Sequence, residues 1–198
     1  MREKGLSFPS TITKLKAIPR SGWISHGISF QDVESVADHS YSTSAIAMLL
    51  ADIERQGGRR VKIERILRLA ILHDLAESLT FDISKSYLEY LGKEGEAIKR
   101  KLERAAWTHI TKNIPSMRGD YMELMAEFDA EETLESQIVH AADMLDILFQ
   151  IVEYRRRGYP KAVLGDLWTS TNRRLKGVGL PSVRRLHRIA VRGYRATA

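Results

Sequence analysis

The stretch IERILRLAILHDLAESL, residues 63–79, decides the fold of this chain. Its apolar side chains cover nearly the whole circumference of a helix: Ile66, Leu67, Leu69, Ala70, Ile71, Leu72, Leu75, Ala76 and Leu79. A helix that is apolar on all sides is typically buried inside a protein. The pattern therefore predicts a buried helix from Lys62 to Leu79.

Three ionisable residues, His73, Asp74 and Glu77, interrupt this apolar helix. Burying an ionised carboxylate without a partner costs on the order of several kcal/mol, so such a group needs a cation or a proton. On a helix His73 and Glu77 share a face, and Asp74 lies about 100° around from His73. The adjacent pair can then bind one divalent metal, with Glu77 one turn away beside a metal-bound water. A helix cap or an ion pair with Arg68 explains one such acid better than it explains three.

Two further segments place similar residues among apolar ones. His39 begins a helix with an apolar face in ESVADHSYSTSAIAMLL, residues 34–50. In QIVHAADMLDILFQIV, residues 137–152, the polar positions are His140, Asp143 and Asp146. Taken singly, each of these residues is also explained by a satisfied core position or by an ion pair with an arginine. Both interpretations stay open at this point.

The rest of the chain predicts an all-α fold, a single helical bundle without significant sheet. Apolar residues recur at helical spacing, and no strand-like alternation is convincing. Ser10 is a candidate cap for a short first helix that ends before Pro19. In the next helix, residues 36–55, the side chains expected to face inward are Ala45, Met48, Leu49 and Ile53. The remaining helices are expected at residues 93–113, 116–128 and 133–157, with two more after Pro160 separated near KGVGLPS.

Composition limits both the architecture and the chemistry. A chain of 198 residues is expected to form one domain, residues 1–198. Because the chain has no cysteine, disulfides, thiolate nucleophiles and zinc–thiolate sites are excluded, and any metal is held by histidine and carboxylate. The start MREKGLSFPS lacks the apolar core of a secretory signal, and no run approaches the roughly 20 apolar residues of a membrane span. We therefore expect a cytoplasmic protein without membrane contact.

The formal charge of +6 is concentrated near the end of the chain. Residues 167–198 contain eight arginines and lysines and no acid. A basic segment of this kind can bind nucleic acid, but no interleaved aromatic residues suggest base stacking. We therefore favour a solvated helix face or part of a subunit contact, with nucleic acid as the less favoured partner.

Three short segments, ADHS, LHDLAES and HAADML, resemble the HD-domain metal-dependent phosphohydrolases, in which an H…HD…D pattern is spread over separate helices of an α-bundle. The similarity is strongest to the 5′-deoxynucleotidase branch, through RSGW, ESVADHS and HDLAESLTFDI. The motif core runs from about residue 14 to 154. The basic helices at about 160–198 lie outside it.

The resemblance implies one divalent metal per site. Its ligands would be His39, His73, Asp74 and Asp143, and it makes Asp146 a structural residue. Histidine nitrogens favour a first-row transition metal such as Co, Mn, Fe, Ni or Zn over Mg.

The resemblance also implies roles for four other residues. Glu77 would orient or deprotonate the attacking water, and Asp82 would contact the sugar or the scissile region. Arg20 matches a phosphate-binding arginine, which can grip phosphate through paired hydrogen bonds. Trp23 matches an aromatic that discriminates at the sugar, or else it anchors its loop.

The implied function is removal of the 5′-phosphate from deoxyribonucleoside 5′-monophosphates by a metal-bound water, in a homodimer. The alternatives are another HD activity on a triphosphate, cyclic nucleotide or alarmone, and a non-catalytic metal-containing module that binds nucleic acid. Additional phosphates need additional cations, and near the motifs the sequence offers only Arg20, Lys85 and Arg68. Two departures from the family pattern concern the substrate: Phe81 replaces a glycine, and His140 replaces a lysine.

Overall fold

The computed structural model describes residues 8–84, 87–88 and 90–197, and it confirms the all-α class. The helices are α1 (Phe8–Leu15), α2 (Ser21–Ser25), α3 (Val36–Gln56), α4 (Ile63–Leu72), α5 (Glu77–Thr80), α6 (Lys93–Ile110), α7 (Arg118–Ala130), α8 (Leu134–Arg156), α9 (Lys161–Lys176) and α10 (Pro181–Ala196). Short 3₁₀ turns follow α6 at Thr111–Asn113 and precede α7 at Pro115–Met117. Within the described ranges, extended pairing is limited to an isolated antiparallel bridge between Pro19 and Ser35.

The long helices begin and end close to the predicted residues because their termini have strong local determinants. At the start of α8, the Thr133 hydroxyl accepts a hydrogen bond from the Ser136 N–H at 3.1 Å. Gly158, with φ 95°, follows its end. The prediction for Ser10 was wrong: this residue lies inside α1, which already includes Phe8.

The predicted helix over residues 62–79 was also wrong, because the chain turns at the HD doublet. Helix α4 ends at Leu72, and α5 begins only at Glu77. Between them, the Leu75 N–H donates to the Leu72 carbonyl and the Glu77 N–H donates to the Asp74 carbonyl, each at 3.0 Å. These bonds span three residues instead of four, which tightens the backbone and removes His73 and Asp74 from the helical register.

The inward face predicted for α3 was wrong as well. Met48 and Leu49 are 44% and 48% exposed, whereas the buried positions follow a different stripe: Val36, His39, Thr43, Ala47, Leu50, Ala51 and Glu54. Three of those residues are polar. Glu54 is buried because its carboxylate accepts the Ser182 N–H at 2.9 Å, at the start of α10, and lies 3.1 Å from Arg59 Nε. A carboxylate at a helix N-terminus satisfies an otherwise unpaired donor.

The chain groups into two compact units, one of residues 1–40 and 71–126 and the other of residues 41–70 and 127–198. In the first unit, α5 packs against α1 and α6. In the second, α8 packs against α9 and α10, and the Trp168 and Tyr194 rings stack 3.8 Å apart. The expectation of a single domain stays a prediction. No described helix is both long and apolar enough to cross a membrane.

Candidate active site

The first unit brings together His39, His73 and Asp74, three of the residues predicted to bind metal. The two Nε2 atoms lie 3.4 Å apart. Asp74 Oδ2 lies 3.5 Å from His39 Nε2 and 3.2 Å from His73 Nε2. The His39 side chain is 1% exposed, and that of His73 is 3% exposed. The turn after Leu72 is what allows two consecutive residues to meet the histidine of α3.

The spacing of these three atoms fits a divalent metal. Bonds of about 2.0–2.2 Å in a tetrahedral site place neighbouring ligand atoms about 3.3–3.6 Å apart. The three observed separations cover nearly the same range. Two imidazole nitrogens and one carboxylate oxygen also form a donor set typical of first-row transition metals. The three residues therefore suit a metal ion by both geometry and chemistry.

Arg20 is the arginine that pairs with Asp74. Its Nη1 donates a hydrogen bond to Asp74 Oδ2 at 3.0 Å. Arg68, which the sequence also offered as an ion-pair partner for these acids, lies near Glu64 instead. Burial by itself would raise the pKa of Asp74. Positive charge on His73, Arg20 and His39 outweighs burial and holds this pKa well below its usual range. Asp74 is therefore an anion in the site, as a carboxylate that binds a metal must be.

Glu77 differs electrostatically from Asp74. Its side chain is 7% exposed, and Oε2 lies 3.8 Å from Arg20 Nη1. Burial raises the pKa of Glu77 well above its usual range, and repulsion from Asp74 and Asp82 adds to this effect. The pKa values of two carboxyl groups three residues apart are thus shifted in opposite directions. Such a separation of pKa values is typical of sites where one acid binds and the other transfers protons.

Asp82 connects the loop after α5 to the start of α2. Its Oδ2 accepts the Ser21 N–H at 2.7 Å, and its Oδ1 lies 3.9 Å from Arg20 Nη1. The same guanidinium thus faces Asp74, Glu77 and Asp82. This arrangement fixes the position of Arg20 beside the candidate metal ligands.

Lys99, on α6, is a site residue that the sequence reasoning missed. Its Nζ lies 3.6 Å from Glu103 Oε1, and its side chain is 29% exposed. Burial by itself would lower the pKa of Lys99, but the carboxylates of Glu103, Glu77, Asp74 and Asp82 raise it above its ordinary value. Lys99 therefore adds a second positive charge at the site. One lysine among many in KEGEAIKRKLER carries no distinguishing sequence pattern.

Trp23 is 3% exposed, and its indole N–H donates to Glu34 Oε1 at 2.7 Å. Both residues belong to the first unit, and the bond holds α2 against the segment that leads into α3. This contact supports the loop-anchor interpretation of Trp23. Its role at the sugar stays a prediction.

The family model described as HD domain matches residues 12–182 of the chain. The chain belongs to the HD domain family. The match extends beyond the predicted motif core, residues 14–154, and into α10.

Several known proteins are similar to this chain over most of its length. The 5′-deoxynucleotidase HDDC2 of Xenopus laevis is 31% identical, over 86% of this chain and 79% of that protein. Human 5′-deoxynucleotidase HDDC2 is 30% identical, over 84% and 76% of the two chains. The crystal structure of the PH0347 protein from Pyrococcus horikoshii superimposes with a TM-score of 0.77 at 29% identity, covering 94% of this chain and 98% of that one.

The fourth ligand expected from the HD pattern, Asp143, belongs to the second unit. It lies on α8 and is half-buried, with its Oδ1 atom shielded from solvent. Asp146, one turn further along α8, is 5% exposed. Burial alone does not show which of these two aspartates binds the metal, so the assignment of Asp143 as a ligand stays a prediction.

His140, the second departure from the HD family pattern, has partners within the second unit. Its Nε2 lies 2.8 Å from the Phe128 carbonyl oxygen, and its Nδ1 lies 3.4 Å from Glu131 Oε1. The His140 and Phe128 rings also stack, with centroids 4.0 Å apart. These contacts give His140 a structural role at the start of α8. Lys85, the other cation considered for extra phosphates, lies outside the described residues.

Phe81, the first departure, occupies a backbone conformation that suits glycine. Its φ of 61° and ψ of 166° fall in a region that is essentially restricted to glycine. A bulky residue there costs about 1–3 kcal/mol and persists only when surrounding contacts impose it. The glycine that the family resemblance implies at this position would adopt this conformation without strain, whereas this chain has phenylalanine.

Proposed function

We propose that this chain is a 5′-deoxynucleotidase, which hydrolyses deoxyribonucleoside 5′-monophosphates to the deoxyribonucleoside and inorganic phosphate. The convergence of His39, His73 and Asp74 beside Arg20 and Glu77 is the observation that carries the proposal. The similarity to proteins named 5′-deoxynucleotidase supports the choice of substrate.

In this proposal His39, His73, Asp74 and Asp143 would hold one transition metal of the Co, Mn, Fe, Ni or Zn series. Such an ion polarises a phosphoryl oxygen and acidifies water when bound. The two carboxylates among the four ligands carry two negative charges, which balance the charge of a divalent ion, so the ion and its ligands have no excess negative charge. The ligand set therefore keeps the site attractive to a phosphate dianion.

The chain's own residues supply binding and proton transfer. Arg20 and Lys99 place positive charge where a phosphate monoester would lie. Glu77 accepts a proton from the attacking water while the water oxygen bonds to phosphorus. The bond from phosphorus to the 5′-oxygen breaks, and Glu77 returns the proton to this oxygen, which leaves as the 5′-hydroxyl of the deoxyribonucleoside. A raised pKa suits this role, because proton acceptors work best with a pKa near the operating pH.

The sugar would be read by Asp82 and by the loop that Trp23 anchors. Asp82 accepts a hydrogen bond from the Ser21 N–H, which orients its carboxylate. In this proposal the largely apolar indole of Trp23 would offer no hydrogen-bond partner to a 2′-hydroxyl, and an unpaired polar group is penalised on binding. The preference for deoxy substrates follows from that penalty.

Metal-stripped protein is expected to release no phosphate from any nucleotide and to regain activity when Co, Mn, Ni, Fe or Zn is added. Deoxyribonucleoside 5′-monophosphates should exceed their ribo counterparts in kcat/KM by more than about tenfold, because a site lacking a hydroxyl partner discriminates to that degree or more. A malachite-type phosphate assay over a panel of monophosphates, triphosphates, cyclic nucleotides and an alarmone measures both effects.

Stoichiometric metal binding with no phosphate release from the monophosphates would contradict the proposal. Release from a triphosphate or alarmone alone would move the activity elsewhere within the HD family. Salt-sensitive binding to nucleic acid that survives loss of Glu77, without turnover, would favour the non-catalytic module instead.

Replacing Lys99 with Met is expected to raise KM for a deoxyribonucleoside monophosphate about tenfold, because one charge-assisted contact to phosphate contributes about 1.5–3 kcal/mol. Lys99→Arg should recover part of this loss. Steady-state kinetics with both variants checks the prediction. Lys101→Met is the matched control, since Lys101 lies exposed on the same helix. Equal KM values for the Lys99→Met and Lys101→Met proteins would remove Lys99 from the site.

The homodimer implied by the family resemblance and the cytoplasmic location expected from the sequence remain part of this proposal. Light scattering of the purified chain measures the oligomeric state directly. A mass near 22.5 kDa, that of one chain, would contradict the dimer.

A further inference from the structure

Phe81 combines two properties that rarely occur together. Its backbone adopts a conformation that favours glycine, with φ 61°, and its side chain is 66% exposed. Burial of the ring therefore does not compensate for the backbone strain. Glycine at this position would satisfy the same backbone without strain, so the backbone does not explain the ring either.

Hydrogen bonds on both sides of Phe81 impose this conformation. The Phe81 N–H donates to the Glu77 carbonyl at 2.8 Å, and the Thr80 hydroxyl donates to the Phe81 carbonyl at 3.1 Å. The next residue, Asp82, is fixed by the Ser21 N–H at 2.7 Å. Phe81 thus lies in the short segment between Glu77 and Asp82, and both of these carboxylates face Arg20. The exposed ring stands at the border of the candidate active site.

We propose that the Phe81 ring stacks on the nucleobase of the substrate and makes the site prefer a whole nucleotide to a sugar phosphate. The inference rests on the proposed deoxynucleotidase function and adds a specificity-determining residue to it. An exposed aromatic ring offers a flat π-face, and every base can stack on such a face. Stacking would also give the ring a function at a position where glycine would adopt the backbone more easily.

The test compares two substrates, deoxyadenosine 5′-monophosphate and 1,2-dideoxyribose 5-phosphate, in which a hydrogen atom replaces the base. Phe81→Gly and Phe81→Ala should each lower the kcat/KM ratio of the nucleotide to the sugar phosphate by about tenfold, mainly through KM of the nucleotide. Phe81→Trp should keep that ratio. The two truncations should differ in stability, because only glycine relieves the strain: Phe81→Gly should raise Tm by a few degrees above Phe81→Ala.

Phe30→Ala serves as the matched control, since Phe30 is 70% exposed in the same unit and has no positive φ. It should leave the substrate ratio as in the wild type. Truncations of Phe81 that change the ratio by less than twofold would overturn the inference while wild-type turnover upholds the function. An equal loss of kcat/KM on both substrates would also overturn the inference, because it would mean that the ring only supports Asp82. A wild-type protein that hydrolyses no deoxynucleotide would overturn the function and the inference together.

Discussion

Glu77→Gln is expected to lower kcat by about 10²–10⁴-fold while leaving the metal bound, since general base catalysis contributes that much. Glutamine has nearly the shape of glutamate, but its amide cannot accept a proton from water. Burial and acidic neighbours also raise the pKa of Glu77, whereas the pKa of Asp74 is held low. Phosphate release in single turnovers, together with metal content by mass spectrometry, measures both parts of the expectation.

The fold of the Glu77→Gln protein provides an internal check. Burial and repulsion from Asp74 and Asp82 disfavour a charge at this position, so a neutral amide should not lower the thermal stability of the metal-free protein. Glu96→Gln, an exposed change on α6, is the control for the loss of a carboxylate as such. Full activity in the Glu77→Gln protein would refute the proton-transfer role. Loss of the metal together with activity would instead make Glu77 a ligand.

Helix positions were predicted best where local residues determine both ends. α8 begins after the Thr133 cap and ends before Gly158, so its limits could be read almost to the residue. The long helix α3 was found for a similar reason, because glycines follow its end. Its inward face was not found. The buried stripe includes His39, Thr43 and Glu54, and a hydrophobic pattern assigns such residues to solvent.

A local sequence pattern does not reveal the distant contacts that allow Glu54 to be buried or that end the helix at the HD doublet. Ser182, which donates to Glu54, lies 128 residues away in the sequence. The stretch LAILHDLAES reads as continuous helix because each residue is compatible with one. The observed turn places His73 and Asp74 together against His39, so tertiary contacts override local preference there.

In the candidate site, too, the sequence pattern identified some residues, and others became evident only from the folded structure. Residue identities and order pointed to His39, His73, Asp74, Glu77, Asp82 and Arg20, and the structure brings all six into one unit. Lys99 was missed because its helix contains many cations, and only folding selects the one beside the carboxylates. The strain at Phe81 was equally hidden, since φ is not readable from a single residue type.

Asp143→Asn is expected to weaken metal binding by more than about 100-fold and to abolish turnover. Residues that merely orient ligands cost 10–100-fold in metal affinity when removed, so the loss of a direct ligand should exceed that range. An amide oxygen also lacks the negative charge that a carboxylate brings to a dication. Titration of the metal-free protein with cobalt, in competition with a chelator, measures the affinity.

Asp146→Asn is the matched comparison, because Asp146 lies one turn along α8 and is at least as buried as Asp143. If the HD pattern identifies the ligand correctly, the Asp146→Asn protein keeps its metal, whatever it loses in stability. The reverse result, with metal lost from the Asp146 variant and kept by the Asp143 variant, would assign the ligand to Asp146. Circular dichroism of both variants separates loss of a ligand from loss of the fold, since a misfolded protein would lose helical signal as well as metal.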